Sequence, residues 1–109
     1  MVTSEIATAL PTLAVVLVMA IWGVGYASAQ LRCTDAAREA ARAAARGEDM
    51  ATVIEIAQAV APGHAEVDVR RENGMITIEV RATAAAPPPL GSFLEPTVRG
   101  RAVALEEWP

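Results

Sequence analysis

Lysine is absent from this chain of 109 residues, cysteine and histidine occur once each, and no charge of either sign interrupts the run from Ile6 to Leu31. Each shortage removes a class of function. A lone Cys33 excludes an intramolecular disulfide, and the expectation is a small buried or lipid-shielded thiol. A lone His64, set in a Pro-Gly turn with no second histidine or thiol near it, cannot build a metal site and reads as a surface histidine. No glycine-rich loop follows a strand to cradle phosphate, and no nucleophile elbow occurs. Catalytic residues, metals and cofactors are therefore all expected to be none, and the chain is expected not to be an enzyme. Clustered cations on one face are missing from the acidic C-terminal part, which argues against nucleic acid as a partner.

What remains is dominated by the uncharged run. At 1.5 Å per residue it makes a helix roughly 39 Å long, more than the ~30 Å core of a bilayer. Leu13, Val15, Val16, Leu17, Val18, Met19, Ile21 and Trp22 point in every direction around that helix, so no side suits water. Lipid or other helices must surround it. Pro11 removes one helical hydrogen bond, to the carbonyl of Ala7, and predicts a bend or loosened turn over residues 7–11. Trp22 and Tyr26 stand one turn apart, as rings at a membrane interface do. Gly23 with Ala27, and Gly25 with Ala29, place small residues four apart, which allows close approach by another helix.

Charge falls unevenly. Residues 1–31 carry −1 from Glu5, residues 32–46 carry +2, and residues 47–109 carry −5. Nothing between Cys33 and Arg46 breaks a helix, and alanine favours one, so the helix is expected to continue to a natural stop at Gly47. Arg38, Arg42 and Arg46 form a row on it, expected to be a solvated face or to meet lipid headgroups or acidic neighbours. A rod from about Ser4 to Arg46 would be roughly 65 Å long, far beyond a lone domain of this size.

After Gly47, Met50, Val53, Ile54, Ala57, Val60 and Ala61 repeat at the helical period and predict a short amphipathic helix ended by Pro62 and Gly63. The next stretch, AEVDVRRENGMITIEVRATA, alternates about Asn73-Gly74, the pair that favours a two-residue hairpin turn. Pairing across that turn sets Glu72 opposite Met75, Val69 opposite Ile78 and Val67 opposite Val80. It also sets Asp68 opposite Glu79, a repulsive pair expected to need Arg70 nearby. Residues 85–96 hold three consecutive prolines with Leu90, Phe93 and Leu94, an apolar loop expected either to cover a sheet edge or to receive a partner. Thr97 to Glu107 reads as a third strand, in which Val103 and Leu105 alternate with Ala102, Ala104 and Glu106. The expected fold class is α+β. A long N-terminal transmembrane and stalk helix forms residues 1–46, and a short helix with a small three-stranded antiparallel sheet forms a domain over residues 47–109. The sheet is expected to pack on the amphipathic helix and on the lower half of the long one.

An uncharged helix that begins with an acid at the fifth position, continues as a stalk and ends in a small sheet domain resembles a type IV pilin-like subunit. More narrowly, MVTSEIATALPTLAVVLVMAIWGVGYASAQLRCTDAAREAARAAARGE is similar to the TadE-like minor pilins of Tad (tight adherence) or Flp pilus systems, in a form like those of actinobacteria. The resemblance implies cleavage by a prepilin peptidase just before the residue matching Met1. It also implies that Glu5 neutralises the new α-amine of a neighbour as the helices bundle. Partners would then be other pilin-like subunits, the pilus assembly machinery and membrane lipid. The C-terminal domain would lie outside the cell membrane or in an extracellular pilus serving adhesion or secretion. The arginines from Arg32 to Arg46 predict the opposite orientation by the positive-inside bias. Two alternatives stay open: a small binding domain secreted after signal-peptidase cleavage at Ala27-Ser28-Ala29, and a plain single-pass anchored domain that forms no polymer.

Overall fold

The computed structural model describes residues 2–84 and 95–105. The chain is an α+β protein of two helices and one sheet: α1 (Val2–Ala45), α2 (Met50–Val60), β1 (Glu66–Glu72), β2 (Met75–Thr83) and β3 (Thr97–Leu105). It measures 77 × 22 × 21 Å, with a radius of gyration of 19.8 Å. A compact chain of this length would have about 13 Å, so the excess is the length of α1 standing clear of the rest.

The helix α1 continues through Pro11 without interruption. Two threonines flank the site where the proline removes a backbone donor: Thr8 Oγ1 donates to the carbonyl of Ser4 at 3.0 Å and Thr12 Oγ1 to that of Thr8 at 3.3 Å. Its C-terminus closes on Gly47, at φ +86°. The Gly47 N–H donates to the carbonyl of Ala44 at 3.0 Å and the Glu48 N–H to that of Ala43 at 3.2 Å. This is the left-handed helix stop that a glycine accommodates without a Cβ clash.

The hairpin has the register read from the sequence, Glu66 opposite Arg81 through Glu72 opposite Met75, about Asn73 and Gly74 at φ +50° and +75°. β3 pairs antiparallel with β2, from Met75 opposite Leu105 to Thr83 opposite Thr97, giving the order β1-β2-β3. The repulsive pair Asp68–Glu79 is neutralised differently from expectation. Arg81, not Arg70, reaches Asp68 at 2.8 Å, Glu66 at 3.5 Å and Glu79 at 3.8 Å. Arg81 faces Glu66 across the pair and lies two residues from Glu79 on the same face, so one guanidinium serves three acids.

The sheet lies chiefly on the C-terminal half of α1, which covers β3 and β2, while α2 packs beside α1 and only touches β1. The amphipathic helix thus has a smaller part in covering the sheet than the sequence implies. The seam is built of small residues: Cys33, Ala36, Ala37, Ala40, Ala41, Ala43 and Ala44 from α1 meet Ile76, Ile78 and Val80 of β2 and Val98 of β3. Each buried Ile or Val contributes about 1.5–3 kcal/mol of transfer free energy. β3 turns its small side inward. Gly100, Ala102 and Ala104 face the helix, whereas Val103 and Leu105 point to solvent at 53% and 68% exposure. The reason is proximity: a Cβ on Gly100 would fall inside 3.0 Å of the backbone of Cys33 and Thr34, so strand and helix meet backbone to backbone.

Candidate functional site

The candidate site is the outer two-thirds of α1. Its most apolar 18-residue stretch has a mean hydropathy of 2.1 and no buried residue. Leu10, Leu13, Val15, Val16, Val18 and Met19, which point in every direction around the helix, stand 41–62% exposed. A stretch of helix that is oily all round and has no residue buried in its own chain belongs in lipid or among other helices. By length and composition it can cross a membrane, and it fits a single-pass anchor near the N-terminus.

One side of this helix is not wholly oily. Ser4, Thr8 and Thr12 recur every four residues, and with Glu5, Ala9 and Leu13 they line a shallow groove. Thr8 and Thr12 already use their hydroxyl protons on the carbonyls of Ser4 and Thr8, one turn back, which leaves hydroxyl lone pairs free to accept. The Glu5 carboxylate lies at the polar end of the groove, exposed, in the first turn where the helix dipole favours an acid. In hydrocarbon such a carboxylate costs several kcal/mol unless it is paired or protonated.

The small residues divide. Gly23, Gly25 and Ala27 are exposed, and a Cβ at either glycine would meet nothing of this chain within 4 Å. Ala29 is half-buried against the head, as is Tyr26, so the Gly25–Ala29 pair is partly covered by the chain's own core while Gly23–Ala27 is open. Trp22 and Tyr26 stack with ring centroids 5.9 Å apart at 44°. Arg38, Arg42 and Arg46 are exposed along the solvent side of α1. Arg42 pairs with Glu39 at 2.8 Å and Arg46 with Glu48 at 3.6 Å. At 1.5 Å per residue Arg46 stands about 22 Å beyond Leu31, out of reach of headgroups at the end of the apolar run. Met1, Leu90, Phe93 and Leu94 lie outside the described residues. Among the described residues no three of His, Cys, Asp or Glu come together as metal ligands.

Two residues that join rod to head were not singled out by sequence reasoning. Gln30 offers its amide to β3 as a neighbouring strand would. Its Nε2 donates to the carbonyl of Arg99, and its Oε1 accepts from the Arg99 N–H at 3.1 Å. Gly100, next in β3, is the point of closest approach. A glycine inside an otherwise β-forming stretch was the available signal for the second. Nothing local marks Gln30. Cys33, between them in space, is fully buried, its Sγ 4.0 Å from the carbonyl of Val98. Burial pushes its thiol pKa up, with Arg32 opposing.

No family model matches the chain, and no solved structure matches it. One curated protein, the apoptosis inhibitor Rv3655c of Mycobacterium tuberculosis, is 40% identical over 103 residues, which are 94% of this chain and 77% of that protein. The chain belongs to the family of that mycobacterial protein. The relationship spans rod and head together, since 94% of the chain cannot be covered without most of both.

Proposed function

We propose that this member of the family is a non-enzymatic, membrane-anchored subunit of the TadE-like minor pilin kind, bundled through α1 with similar helices in a Tad-type pilus or pilus-like secretion apparatus. The observation that carries the reading is the unburied apolar length of α1 with an acid and a hydroxyl ladder at its outer end. In this reading Glu5 pairs with the α-amine of a neighbour released by a prepilin peptidase before Met1, Thr8 and Thr12 accept from the same neighbour, and Gly23–Ala27 admits a close helix contact. The head rides outside the membrane. Release by signal peptidase after Ala29 fits less well, because Ala29 lies in unbroken helix and packs on the head it would have to leave.

The test is N-terminal sequencing of the cell-associated protein, joined to a Glu5→Ala variant. A mature start at Met1, with assembly lost and membrane insertion intact in the variant, is the expected result. A start at Gln30, or assembly unchanged by Glu5→Ala, overturns the reading. The second reading comes from the relative's name. We infer from it, as the second reading, that this chain, 40% identical to an apoptosis inhibitor over nearly its whole length, would itself restrain apoptosis. Full-length chain in lipid nanodiscs, added to cultured cells under an apoptotic stimulus, would lower caspase activity if that reading holds and leave it unchanged if it does not.

A further inference from the structure

Head and bilayer meet without a spacer. Counted from Ile6, the first residue after Glu5, twenty residues reach Gly25, and at about 1.5 Å each they fill the ~30 Å of a hydrocarbon core. The next residue, Tyr26, is already packed on the core of the head, and Gln30 is bonded to β3. The strands and α2 show which end of the head lies lowest. Arg99 sits at Gln30 and Gly100 at Cys33 and Thr34, so β3 climbs away from the membrane in the same sense as α1. α2 starts just past the end of α1 and packs along it, so its 11 residues return ~16 Å toward the membrane and lead to the turn at His64. The register puts Glu66 beside Arg81 and Thr83 beside Thr97 at that same end, with the Asn73-Gly74 turn at the far one. His64, Thr83, Thr97 and Arg99 line a single cleft there.

We propose that this lower edge of the head is seated in the phospholipid headgroup layer, where Arg32 and Arg99 bind lipid phosphates from different sides of the head. The layer is about 5–8 Å deep on each side of the hydrocarbon. Gln30 stands about 7.5 Å above Gly25 and Arg32 roughly 10 Å, and an arginine side chain snorkels down far enough to place its guanidinium on a phosphate. Arg32 and Arg99 are both exposed, and among the described residues neither is held in an ion pair. Arg32 projects from α1 and Arg99 from the outer face of the sheet, so the head stands on two feet that resist a lean either way. Leu31, 64% exposed at the same height, meets lipid rather than water. The acids near this level, Asp35, Glu66 and Glu95, keep the edge from being broadly basic, so the contact is with individual phosphates and not through a diffuse field. Lipid is the occupant because the hydrocarbon span ends at the residue where the head begins. The inference rests on membrane insertion of α1, which the proposed function shares, and not on bundling.

The test uses full-length chain in phosphatidylcholine vesicles, at most one copy per vesicle so that no neighbour shares the surface. A fluorophore is attached at Thr97→Cys or, as the distant site on the same strand, at Leu105→Cys, and a nitroxide quencher is carried on the lipid headgroup. Both positions are exposed, Cys33 is fully buried, and the unsubstituted chain controls for its labelling. Quenching at Thr97 should exceed that at Leu105 at least about threefold, since eight residues of strand separate them by ~27 Å. Arg32→Glu with Arg99→Glu should cut quenching at Thr97 at least about twofold. Arg38→Glu with Arg101→Glu, the same change of charge on the same two elements but ~7–9 Å higher, should leave it unchanged. Circular dichroism confirms that each variant folds. Equal quenching at the two labels, in a chain that floats with the vesicles, overturns the seating and leaves insertion and bundling standing. Equal effects of the two charge reversals, or none from either, overturn the arginine contacts. A chain that does not float with the vesicles overturns this inference together with the membrane reading beneath it.

Discussion

Replacing Gly100 by alanine tests the central packing claim, that helix and strand touch at their backbones. The added methyl would sit inside 3.0 Å of Cys33 C and O and of Thr34 N, all backbone atoms with no rotamer to change. Relief requires β3 to lift from α1 by roughly 1 Å, and a gap of 0.5–1 Å already forfeits a quarter to a half of each contact's dispersion energy. The contacts at stake are those of Val98, Ile78 and the alanine face of α1, and Val98 and Ile78 are fully buried. Overpacking of this kind costs about 1–3 kcal/mol, and a clash with backbone belongs at or above the upper end. About 3 kcal/mol is a large share of the 5–15 kcal/mol that holds a domain folded, and it lowers the midpoint of melting by roughly 12–24 °C for a head of this size. Denaturant titration of the full-length chain in detergent micelles, followed by circular dichroism, measures it against Gly23→Ala, where the new methyl meets open space. A loss below about 1 kcal/mol would refute the reasoning. So would rescue of the alanine variant by Cys33→Ala, because the obstruction is the Cys33 backbone and not its sulfur.

Removing the Gln30 amide with Gln30→Ala leaves the N–H and carbonyl of Arg99 to water. Because the site is exposed, stability should fall only about 0.5–1.5 kcal/mol, while hydrogen exchange at the Arg99 amide quickens; unchanged exchange would deny the bond. Cys33 makes the head sensitive to alkali. Its thiol pKa is raised by burial, so the folded state holds the proton more tightly than the unfolded one, and the difference is fully present below the unfolded value of 9.0. Stability should therefore decline as pH rises through 9.0 toward the folded value, and Cys33→Ala should flatten that slope; equal slopes in both proteins would contradict it.

The elements that obey a short-range rule were readable from the sequence. Asn73-Gly74 needs two positive φ angles and so placed both hairpin strands in register, and Gly47 needed one and so ended α1. The spanning run was legible because nothing folds back on it. What was not legible depends on partners distant in the chain. The alternation of Val103 and Leu105 with Ala102 and Ala104 did not say which side faces in, and the strand turns Gly100, Ala102 and Ala104 inward because α1 leaves no room for more. Arg81 displaced Arg70 as the neutralising cation because position across a pair, not nearness in sequence, sets reach. At the candidate site Glu5 was evident, as the lone acid before an oily run. The joint between rod and head, Gln30 against Arg99, spans 69 positions and left no local trace.

The unbroken passage of α1 from its oily end into the alanine seam makes the protein a lever without a hinge. Any lean of the embedded end is carried to the head undiminished. Over the ~66 Å of this helix a tilt of about ten degrees sweeps the far end through roughly 11 Å, more than the spacing of two packed helices. A turn of about 100° about the axis, one residue's worth, would swing the head a quarter of the way round. How the embedded end settles among its neighbours therefore decides which way every head looks.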